Sequence, residues 1–520
     1  MKRLIVCCDG TWNTRDDEEN NVPAPTNVVR LYNSLRPCDD RAPVHIQQLA
    51  YYHTGVGTTG GLLNRIAGGC YGKGLGRNII SAYTWLGAHY LATGDDKDRI
   101  FLFGFSRGAY TVRCLADMIG RYGLPIINCV PSAEDWERSR ETYDKGYTAK
   151  GGGWQMPTSW SWRPAGSVRI HFLGVWDTVG ALGIPDNLAL LNFFDRWTRK
   201  HRFPDLTLGN HVERARHAVA LDETRAVFSP SLWLDSNGRP VTDTERIKQL
   251  WFPGVHADVG GGYSAAGLSD NALRWMIDEA AVAGLSFDST LLHQIQPNPQ
   301  GVLHRSAKGG FRFMPTQPRS VPLFEAASHA LHSSALARHE TPSITQAPYH
   351  PTCCLTPGSN EVRPVYANER WNDTGIYIEA NTTYRLTAQG IWIDHGTRRD
   401  PAGASHGTEK PYWPAYLWHL LIPVRRAAEG LRRALRVINP HAHVPFTRRE
   451  SQAPWFSLVG IVANGGNPAP DGTSAPHETF AIGRSHELRT EKAGYLHVFA
   501  NATWNGSTSY RGSVILTVER

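Results

Sequence analysis

The stretch "RIFLFGFSRGAYTVR" (Arg99–Arg113) runs from an apolar segment through a serine into a helical pattern. The mostly apolar run that ends at Gly104 is typical of a strand buried on both faces. Ser106 then stands between Gly104 and Gly108, at the point where the strand turns into the helix. Two interpretations are open: a tight turn whose serine caps the helix, or a G-x-S-x-G turn that holds a nucleophile clear of the sheet.

The residues on both sides of this stretch alternate between strand and helix patterns. Apolar runs at Leu4–Cys8, Ile46–Tyr52, Val168–Trp176 and Ile247–Val255 predict strands. Helical patterns lie between them, and Thr26 is placed to cap the first helix. Such alternation favours an α/β fold in which a mostly parallel sheet carries helices on both faces.

The pattern changes in the last third of the chain, where short strand-like runs are separated by Gly, Asn, Asp and Pro. This spacing is typical of an all-β sandwich, and 520 residues exceed what one hydrophobic core usually serves. We therefore predict a catalytic α/β domain over residues 1–340, a linker over 341–359 and a β-sandwich domain over 360–520. A helical insert is predicted within the sandwich at residues 413–438.

The composition is that of an ordinary globular protein. Lys and Arg outnumber Asp and Glu by 54 − 47 = 7, and so mild a charge over this length does not indicate a nucleic-acid partner. The eight cysteines include no C-x-x-C pair. We therefore expect buried, reduced thiols and folding in a reducing cytosol.

The first residues, "MKRLIVCCDG", superficially resemble a signal peptide. Their apolar run is only about six residues, shorter than the roughly 7–15 of a signal-peptide core, so a first strand fits better. No apolar segment reaches the length of about 20 residues that a membrane span needs. We expect a protein that is made in the cytoplasm without a signal peptide.

A serine nucleophile needs a base, and the base needs an orienting acid. In G-x-S-x-G architectures the order along the chain is serine, acid, base. Asp177 follows the predicted strand in "HFLGVWDTVG", and His256 follows the one in "LWFPGVHADVGGGY". The carboxyl edge of a parallel sheet is where such sites form, so we predict Ser106 as nucleophile, Asp177 as acid and His256 as base.

Each of these candidates has a competing interpretation. The competing interpretation of Asp177 is a turn or capping residue, and that of His256 is an ordinary loop histidine. Asp222 in "AVALDETR" and Asp258, two residues past His256, are rival acids. We prefer Asp177 and assign Asp258 to ordering the loop Gly260–Gly262.

An oxyanion hole requires two backbone donors, one of them the residue after the nucleophile, which is Arg107. The second donor usually comes from a loop that leaves a neighbouring strand. The loop "CCDGTWN" follows the first predicted strand, so the N–H of Gly10 or Thr11 is the candidate. A plain Asp-Gly turn is the alternative.

Seven short motifs follow one another in a recognisable order: "CDGTWN" (8–13), "TNV" (26–28), "GVGT" (55–58), "GFSRGAYTVR" (104–113), "GVWDTVG" (174–180), "ALDETR" (220–225) and "PGVHADVGGGY" (253–263). This set resembles the α/β-hydrolase domain family that includes the type VI secretion phospholipase effectors. The resemblance implies an α/β-hydrolase fold over about residues 1–340. It also implies an ester hydrolase of the lipase or phospholipase type, with Ser106, Asp177 and His256 as the triad and with no metal or cofactor.

Further expectations follow from this resemblance. The substrate is expected to be a lipid or another acyl ester. The protein is expected to be bacterial and exported by a type VI system, with a secretion-apparatus or immunity protein as partner. The alternatives are an esterase of non-lipid acyl esters and a non-catalytic protein that binds glycans or cell surfaces on a hydrolase scaffold.

The C-terminal strands resemble the small galactose- and calcium-binding bacterial lectins of the LecA-like type. The matching pieces are "GIYIEANTTYRLTAQGIWID", "WFSLVGIV", "TFAIG" and "AGYLHVFAN" with "GSVILTV". The loop where these lectins place calcium ligands is "ATWNGSTSYRG", which has no carboxylate and carries Arg511. A calcium ion would be poorly neutralised there, so we expect the sandwich without a metal site.

The predicted insert has a basic amphipathic pattern with an aromatic lead-in, "YWPAYLWHLLIP". This pattern is typical of an element that lies on a bilayer surface, and a helix packed on the protein with its arginines in water is the alternative. The candidate residues for peripheral membrane contact are Trp413, Trp418, Leu421, Arg425 and Arg426.

Overall fold

A computed structural model describes the chain from Met1 to Arg520 apart from thirteen places. The residues not described are 11–12, 14–15, 40–44, 56–69, 92–96, 150–152, 180–206, 243, 308–315, 395, 404–448, 466–475 and 504–509. The predicted insert at residues 413–438, with its five candidate membrane-contact residues, therefore lies outside the described residues.

Strands and helices alternate through the first two thirds of the chain. The strands β1–β11 span Arg3–Cys8, Glu18–Glu19, Val22–Pro23, Cys38–Asp39, Ile46–His53, Arg99–Phe105, Leu124–Pro125, Trp162–Arg163, Ile170–Trp176, Ala215–Ala220 and Ile247–Phe252. The α-helices of the described residues, α1–α8, span Asn27–Ser34, Cys70–His89, Arg107–Tyr122, Ala133–Glu141, His256–Gly260, Gly267–Val282, Ser289–Leu292 and Ser333–Glu340.

A seven-stranded sheet in the order β11-β10-β9-β6-β1-β5-β4 forms the centre of this part. All neighbouring strands in it pair in parallel, except that β4 runs antiparallel to β5. Alternate residues of β1 enter different apolar clusters, since Val6 packs with α2 and α3 and Ile5 packs with α1 and α6. The predicted mainly parallel sheet with helices on both faces is therefore confirmed.

Local sequence explains where the helices beside the sheet begin and end. Thr26 caps α1, because its hydroxyl accepts from the Val29 N–H. Helix α3 follows Ser106 and ends at Gly123, whose φ of 72° is unfavourable for other residues.

Strand β10 was not predicted from the sequence. Its residues, "ARHAVA", include a buried arginine and a buried histidine and form no apolar run. Only the hydrogen bonds with β9 and β11 identify this segment as a central strand.

The last third of the chain forms a mainly antiparallel β region. Its strands β12–β21 span Cys353–Cys354, Asn360–Tyr366, Asn372–Ile378, Thr383–Asp394, Thr397–Arg399, Leu458–Ala463, Glu478–Ala481, Ser485–Arg489, Gly494–Ala500 and Tyr510–Glu519. One sheet has the order β12-β14-β20-β17-β18, and the other has β13-β21-β15-β16, with β19 paired to β15. Buried residues of both sheets, such as Ile376 and Leu516, belong to one apolar cluster.

The two parts of the chain contact each other. Val321, Phe324 and Tyr349 share a buried cluster with Tyr495 of β20. Residues 341–359, which the sequence predicts as a linker, contribute Tyr349 to this cluster with 4% exposure. The domain boundaries themselves stay a prediction.

The cysteines of the described residues are free thiols. Cys7, Cys8 and Cys114 are buried as predicted, whereas four others, Cys38, Cys129, Cys353 and Cys354, are at least partly exposed. The prediction of buried thiols is wrong for those four, because they lie in short edge strands or in a loop. No helix among the described residues has the length and apolar character of a membrane span.

Candidate active site

Parallel pairing places the predicted site residues at one edge of the central sheet. Phe105 at the end of β6 is opposite Trp176 at the end of β9. Strand β10 lies between β9 and β11, and the chain reaches His256 shortly after β11. Ser106, Asp177 and His256 therefore each follow a strand at the same edge, as predicted.

Ser106 has a backbone conformation that few non-glycine residues adopt, with φ 57° and ψ −121°. Although it precedes α3, its side chain makes no capping hydrogen bond to that helix. The interpretation of Ser106 as a helix cap is therefore wrong. Its N–H donates to the Trp176 carbonyl at 3.0 Å, which ties the turn to the strand end that precedes Asp177.

The glycines on either side of Ser106 are required by close backbone contacts. A Cβ atom on Gly104 would lie 2.4 Å from the Gly108 carbonyl oxygen. A Cβ atom on Gly108 would lie 2.1 Å from the carbonyl oxygen of Cys8, at the end of β1. The turn can pack this tightly against the sheet only because neither residue has a side chain.

Asp177 and His256 form a buried pair. The His256 Nδ1–H donates to Asp177 Oδ2 at 2.5 Å, and the two residues have 6% and 0% exposure, respectively. Asp177 Oδ1 also accepts from the Ala220 N–H at 3.0 Å. Its own N–H donates to the Ala218 carbonyl at a positive φ of 33°. Asp177 is thus held by hydrogen bonds to β10 on one side and to His256, which follows β11, on the other.

Arg319 is a charged neighbour of this pair that the sequence did not reveal. Its guanidinium donates to Asp177 Oδ1 at 2.8 Å and to Oδ2 at 3.0 Å, and it also donates to the carbonyls of Ala220 and Phe228. The residue lies 142 positions after Asp177 in a segment rich in proline and without helical or strand periodicity. No local pattern could have found it.

The electrostatics of the pair follow from burial and from this arginine. Burial would raise the pKa of Asp177, but Arg319 and His256 outweigh it and hold that pKa well below its usual range. Burial lowers the pKa of His256 below its ordinary value, against the opposing effect of Asp177. At neutral pH the pair is therefore a carboxylate beside a neutral imidazole, which is the state of a general base.

Aromatic rings and a second ion pair fix the position of His256. The ring centroid of Phe105 lies 4.6 Å from that of His256, and the centroid of Phe228 lies 4.7 Å away. Glu223 accepts from the His256 N–H at 3.3 Å and pairs with Arg225 at 2.8 Å. The sequence analysis did not predict a role for Glu223 and Arg225. Their place in "ALDETR", one of the ordered motifs, is the signal that could have found them.

The two rival acids contact other histidines. Asp258 lies 2.6 Å from His304 Nδ1 and accepts from the Val255 N–H. Asp222 lies 2.8 Å from His350 Nε2 and accepts from the Gly254 N–H. Both carboxylates order the loop that leads from β11 to His256.

The predicted oxyanion donors are only partly described. Thr11 lies outside the described residues. The Gly10 N–H donates to Asp9 Oδ1 at 2.7 Å, and burial raises the pKa of Asp9 to about 6. Arg107 is the first residue of α3. The oxyanion roles of Gly10, Thr11 and Arg107 stay a prediction.

The chain belongs to a known family. The model for the catalytic domain of Tle1-like phospholipase effectors of the type VI secretion system (T6SS) matches residues 2–279, more than half of the 520-residue chain. The family resemblance noted from the motifs is thereby confirmed.

One yeast relative matches a smaller part of the chain than the family model does. The uncharacterized protein YEL023C of Saccharomyces cerevisiae is 32% identical over 248 residues, which cover 44% of this chain. Because the match covers 32% of the yeast protein, the chain spans about a third of that relative's length.

Two solved structures show weak similarity. An uncharacterized protein from Pseudomonas aeruginosa is 20% identical, with 57% of this chain and 49% of that chain covered and a TM-score of 0.36. A Tle1 effector bound to the VgrG spike of the T6SS is 14% identical, with 97% and 70% covered and a TM-score of 0.30. Scores this low do not establish a shared fold. These matches give no support to the predicted lectin resemblance of the C-terminal strands.

Proposed function

We propose that the chain is a serine ester hydrolase of the α/β-hydrolase type that acts on the acyl esters of lipids, with phospholipids as the preferred class. The observation that carries the proposal is the buried Asp177–His256 pair at 2.5 Å, next to the strained Ser106 turn. Backbone strain of this kind concentrates at functional sites, and this turn has the placement of a nucleophile elbow.

In the proposed reaction Ser106 Oγ attacks the ester carbonyl carbon while its proton passes to His256 Nε2. His256 Nδ1 is bonded to Asp177, which leaves Nε2 as the basic nitrogen. The imidazolium then protonates the leaving alcohol, and an acyl-serine remains. Water, activated by the same nitrogen, releases the fatty acid and restores Ser106. The Arg107 N–H is proposed to bind the oxyanion together with the Thr11 N–H, or with the Gly10 N–H once it releases Asp9 Oδ1.

The substrate class rests on the family and on the surroundings of the base. The family is that of phospholipase effectors of the T6SS, and the rings of Phe105 and Phe228 flank His256. An apolar site of this kind suits an acyl chain and excludes water from the charges that develop. Export by a type VI system is proposed on the same family membership.

Ester hydrolysis by the Ser106→Ala variant tests the proposal. Wild-type protein should release fatty acid from phospholipid vesicles faster than it cleaves short-chain nitrophenyl esters, and it should form a fluorophosphonate adduct on Ser106. The variant should lose both properties. Ser132→Ala is the matched control, because Ser132 is an exposed cap of α4 and should keep full activity.

The outcome also separates the alternatives. Hydrolysis that persists in Ser106→Ala would refute the serine mechanism. Absence of the adduct in the wild-type protein would favour a hydrolase scaffold used for surface binding. Labelling of Ser106 without release of fatty acid from vesicles would instead favour an esterase of non-lipid acyl esters.

A further inference from the structure

Arg319 reaches the site from a segment outside the helices and strands, Thr316–Phe324, that we call the strap. At its start the strap pairs with the motif that supports His256: Thr316 forms a bridge with Arg225, and the Gln317 N–H donates to the Thr224 carbonyl at 2.7 Å. Arg319 then enters the protein, where it is 8% exposed. The strap thus connects the ion pair of Asp177 to the motif that supports His256.

The C-terminal β region holds the strap at three points. Trp371 Nε1–H donates to the Thr316 hydroxyl at 3.0 Å. The Phe324 N–H donates to the Tyr495 hydroxyl at 2.9 Å. His477 Nε2 lies 2.8 Å from the Pro318 carbonyl, in the residue directly before Arg319.

The tautomer of His477 follows from its two contacts. Nδ1 accepts from the Gly465 N–H at 2.9 Å, so the proton is on Nε2 and is donated to Pro318. His477 is 8% exposed, and it directly precedes β18, an edge strand of its sheet. Because both ring nitrogens of His477 are bonded, its buried Nε2–H points in one direction and fixes the backbone next to Arg319.

We propose that Arg319 is a positioning residue for the Asp177–His256 pair and that the C-terminal β region sets its position through His477. The catalytic part of this inference rests on the proposed function, whereas the structural coupling does not. The β region would then be a component of the catalytic machinery in addition to any binding role.

The physical argument concerns geometry and charge. Two parallel N–H···O bonds from a planar guanidinium fix the rotation of a carboxylate, which here directs Asp177 Oδ2 at His256. The positive charge also offsets the carboxylate, so that the pair takes up a proton less readily.

The other charged and titratable groups near the pair do not replace this arginine. Glu223 and Arg225 face His256 and compensate each other. His217 lies near Asp177, but burial lowers its pKa to about 3, so it is neutral at neutral pH. Loss of Arg319 should therefore raise the proton affinity of the Asp177–His256 pair.

The test measures the pKa of His256 directly in the full-length chain. Histidine labelled with ¹³C at Cε1 reports each titration by NMR, and the His256→Gln variant assigns the signal. Arg319→Met should raise the pKa of His256 by about one unit, and Arg319→Lys, which keeps the charge but loses the two-bond geometry, should raise it less. An unchanged pKa in Arg319→Met would overturn the positioning role.

Kinetics on the ester provide the second readout. In Arg319→Met, kcat/KM should fall about a hundredfold, as expected for a misplaced base, and the acid limb of its pH profile should move upward with the pKa of His256. A merely structural loss would lower activity without moving that limb. If Ser106→Ala still hydrolyses the ester, the proposed function fails alone, since the NMR titration does not depend on hydrolysis.

Variants of His477 test the coupling to the β region. His477→Leu removes the donor to Pro318 and should shift the pKa of His256 in the same direction as Arg319→Met, by less. His477→Gln keeps an N–H donor at a similar distance from the backbone, so the pKa of His256 should stay at its wild-type value. His486→Leu is the control, because His486 stacks on Phe480 within the β region.

A wild-type pKa and pH profile in His477→Leu would refute the coupling. Circular dichroism checks that each variant is folded. If Arg319→Met fails to fold, Arg319→Lys and the two His477 variants, all of which retain a cation beside Asp177, decide the question.

Discussion

Two residues of the candidate site hold unfavourable backbone conformations, Ser106 with φ 57° and Asp177 with φ 33°. Such strain persists only where the surroundings over-determine the backbone. Both N–H groups are bonded to neighbouring strands, that of Ser106 to Trp176 and that of Asp177 to Ala218. The central sheet therefore stabilises the geometry that the two side chains need.

Substitution of the acid distinguishes Asp177 from its rivals. Asp177→Asn places an NH2 group where Oδ2 accepts from His256 Nδ1–H, which favours the wrong tautomer of the imidazole, and kcat should fall by about four orders of magnitude. Asp258→Asn should cost far less, because Asp258 contacts His304 and an amide oxygen can still accept from the Val255 N–H. Steady-state kinetics on a soluble ester provide the comparison. An equal loss in both variants would contradict the assignment.

The pH dependence follows from the pKa of His256. Burial lowers that pKa below 6.5, and the neutral imidazole is the active form. The acid limb of kcat/KM should therefore lie below pH 6.5, with full activity through neutrality. A pH–rate profile checks this, and a limb above 6.5 would show that Asp177 outweighs burial.

At the scale of elements, the turn between β6 and α3 is set by backbone contacts. Both flanking glycines belong to the motif, and the sequence predicted the strand and the helix that meet at Ser106. Helix α3 packs as its periodicity indicates, with Ala109, Val112, Leu115 and Ile119 all buried. Local patterns suffice here because one face of the helix must meet the sheet.

Gly108→Ala tests this turn. The added methyl group would lie 2.1 Å from the Cys8 carbonyl oxygen and 2.5 Å from that of Asp9, both backbone atoms. The turn must shift, so the free energy of unfolding should fall by about 1–3 kcal/mol, and fluorophosphonate labelling of Ser106 should weaken. Urea denaturation and labelling rates measure the two effects.

The matched control for that substitution is Gly153→Ala, because a Cβ atom there has no neighbour within 4 Å. It should leave both the stability and the labelling rate unchanged. A Gly108→Ala variant that behaved like this control would show that the turn tolerates a side chain.

At the scale of the whole molecule, buried histidines link stability to pH. Burial lowers the pKa of His217 to about 3 and that of His332 to about 4. Between about pH 6.5 and pH 4, an unfolded chain protonates these histidines while the folded chain does not, so acidification favours unfolding. The stabilising effect is complete above the unfolded-state pKa and is lost as the pH falls.

His217→Gln should reduce this dependence. A glutamine removes the titration, so the slope of unfolding free energy against pH between 4 and 6 should be shallower than in the wild type. The exposed His329→Gln should keep the wild-type slope. Denaturant titrations across this range provide the measurement, and equal slopes in all three proteins would contradict the prediction.

Features that depend on neighbouring residues could be predicted from the sequence: the alternating strands and helices, the Ser106 turn, and the candidates Asp177 and His256 at strand ends. Segments without apolar periodicity, such as β10 and the strap, could not be predicted from the sequence. The long-range contacts had to come from the folded chain: His256 pairs with Asp177 rather than Asp258, and Arg319 joins them from 142 residues after Asp177. The physical reason is that apolar periodicity is local along the chain. A buried charge, in contrast, is satisfied by whichever partner the fold brings within hydrogen-bond distance.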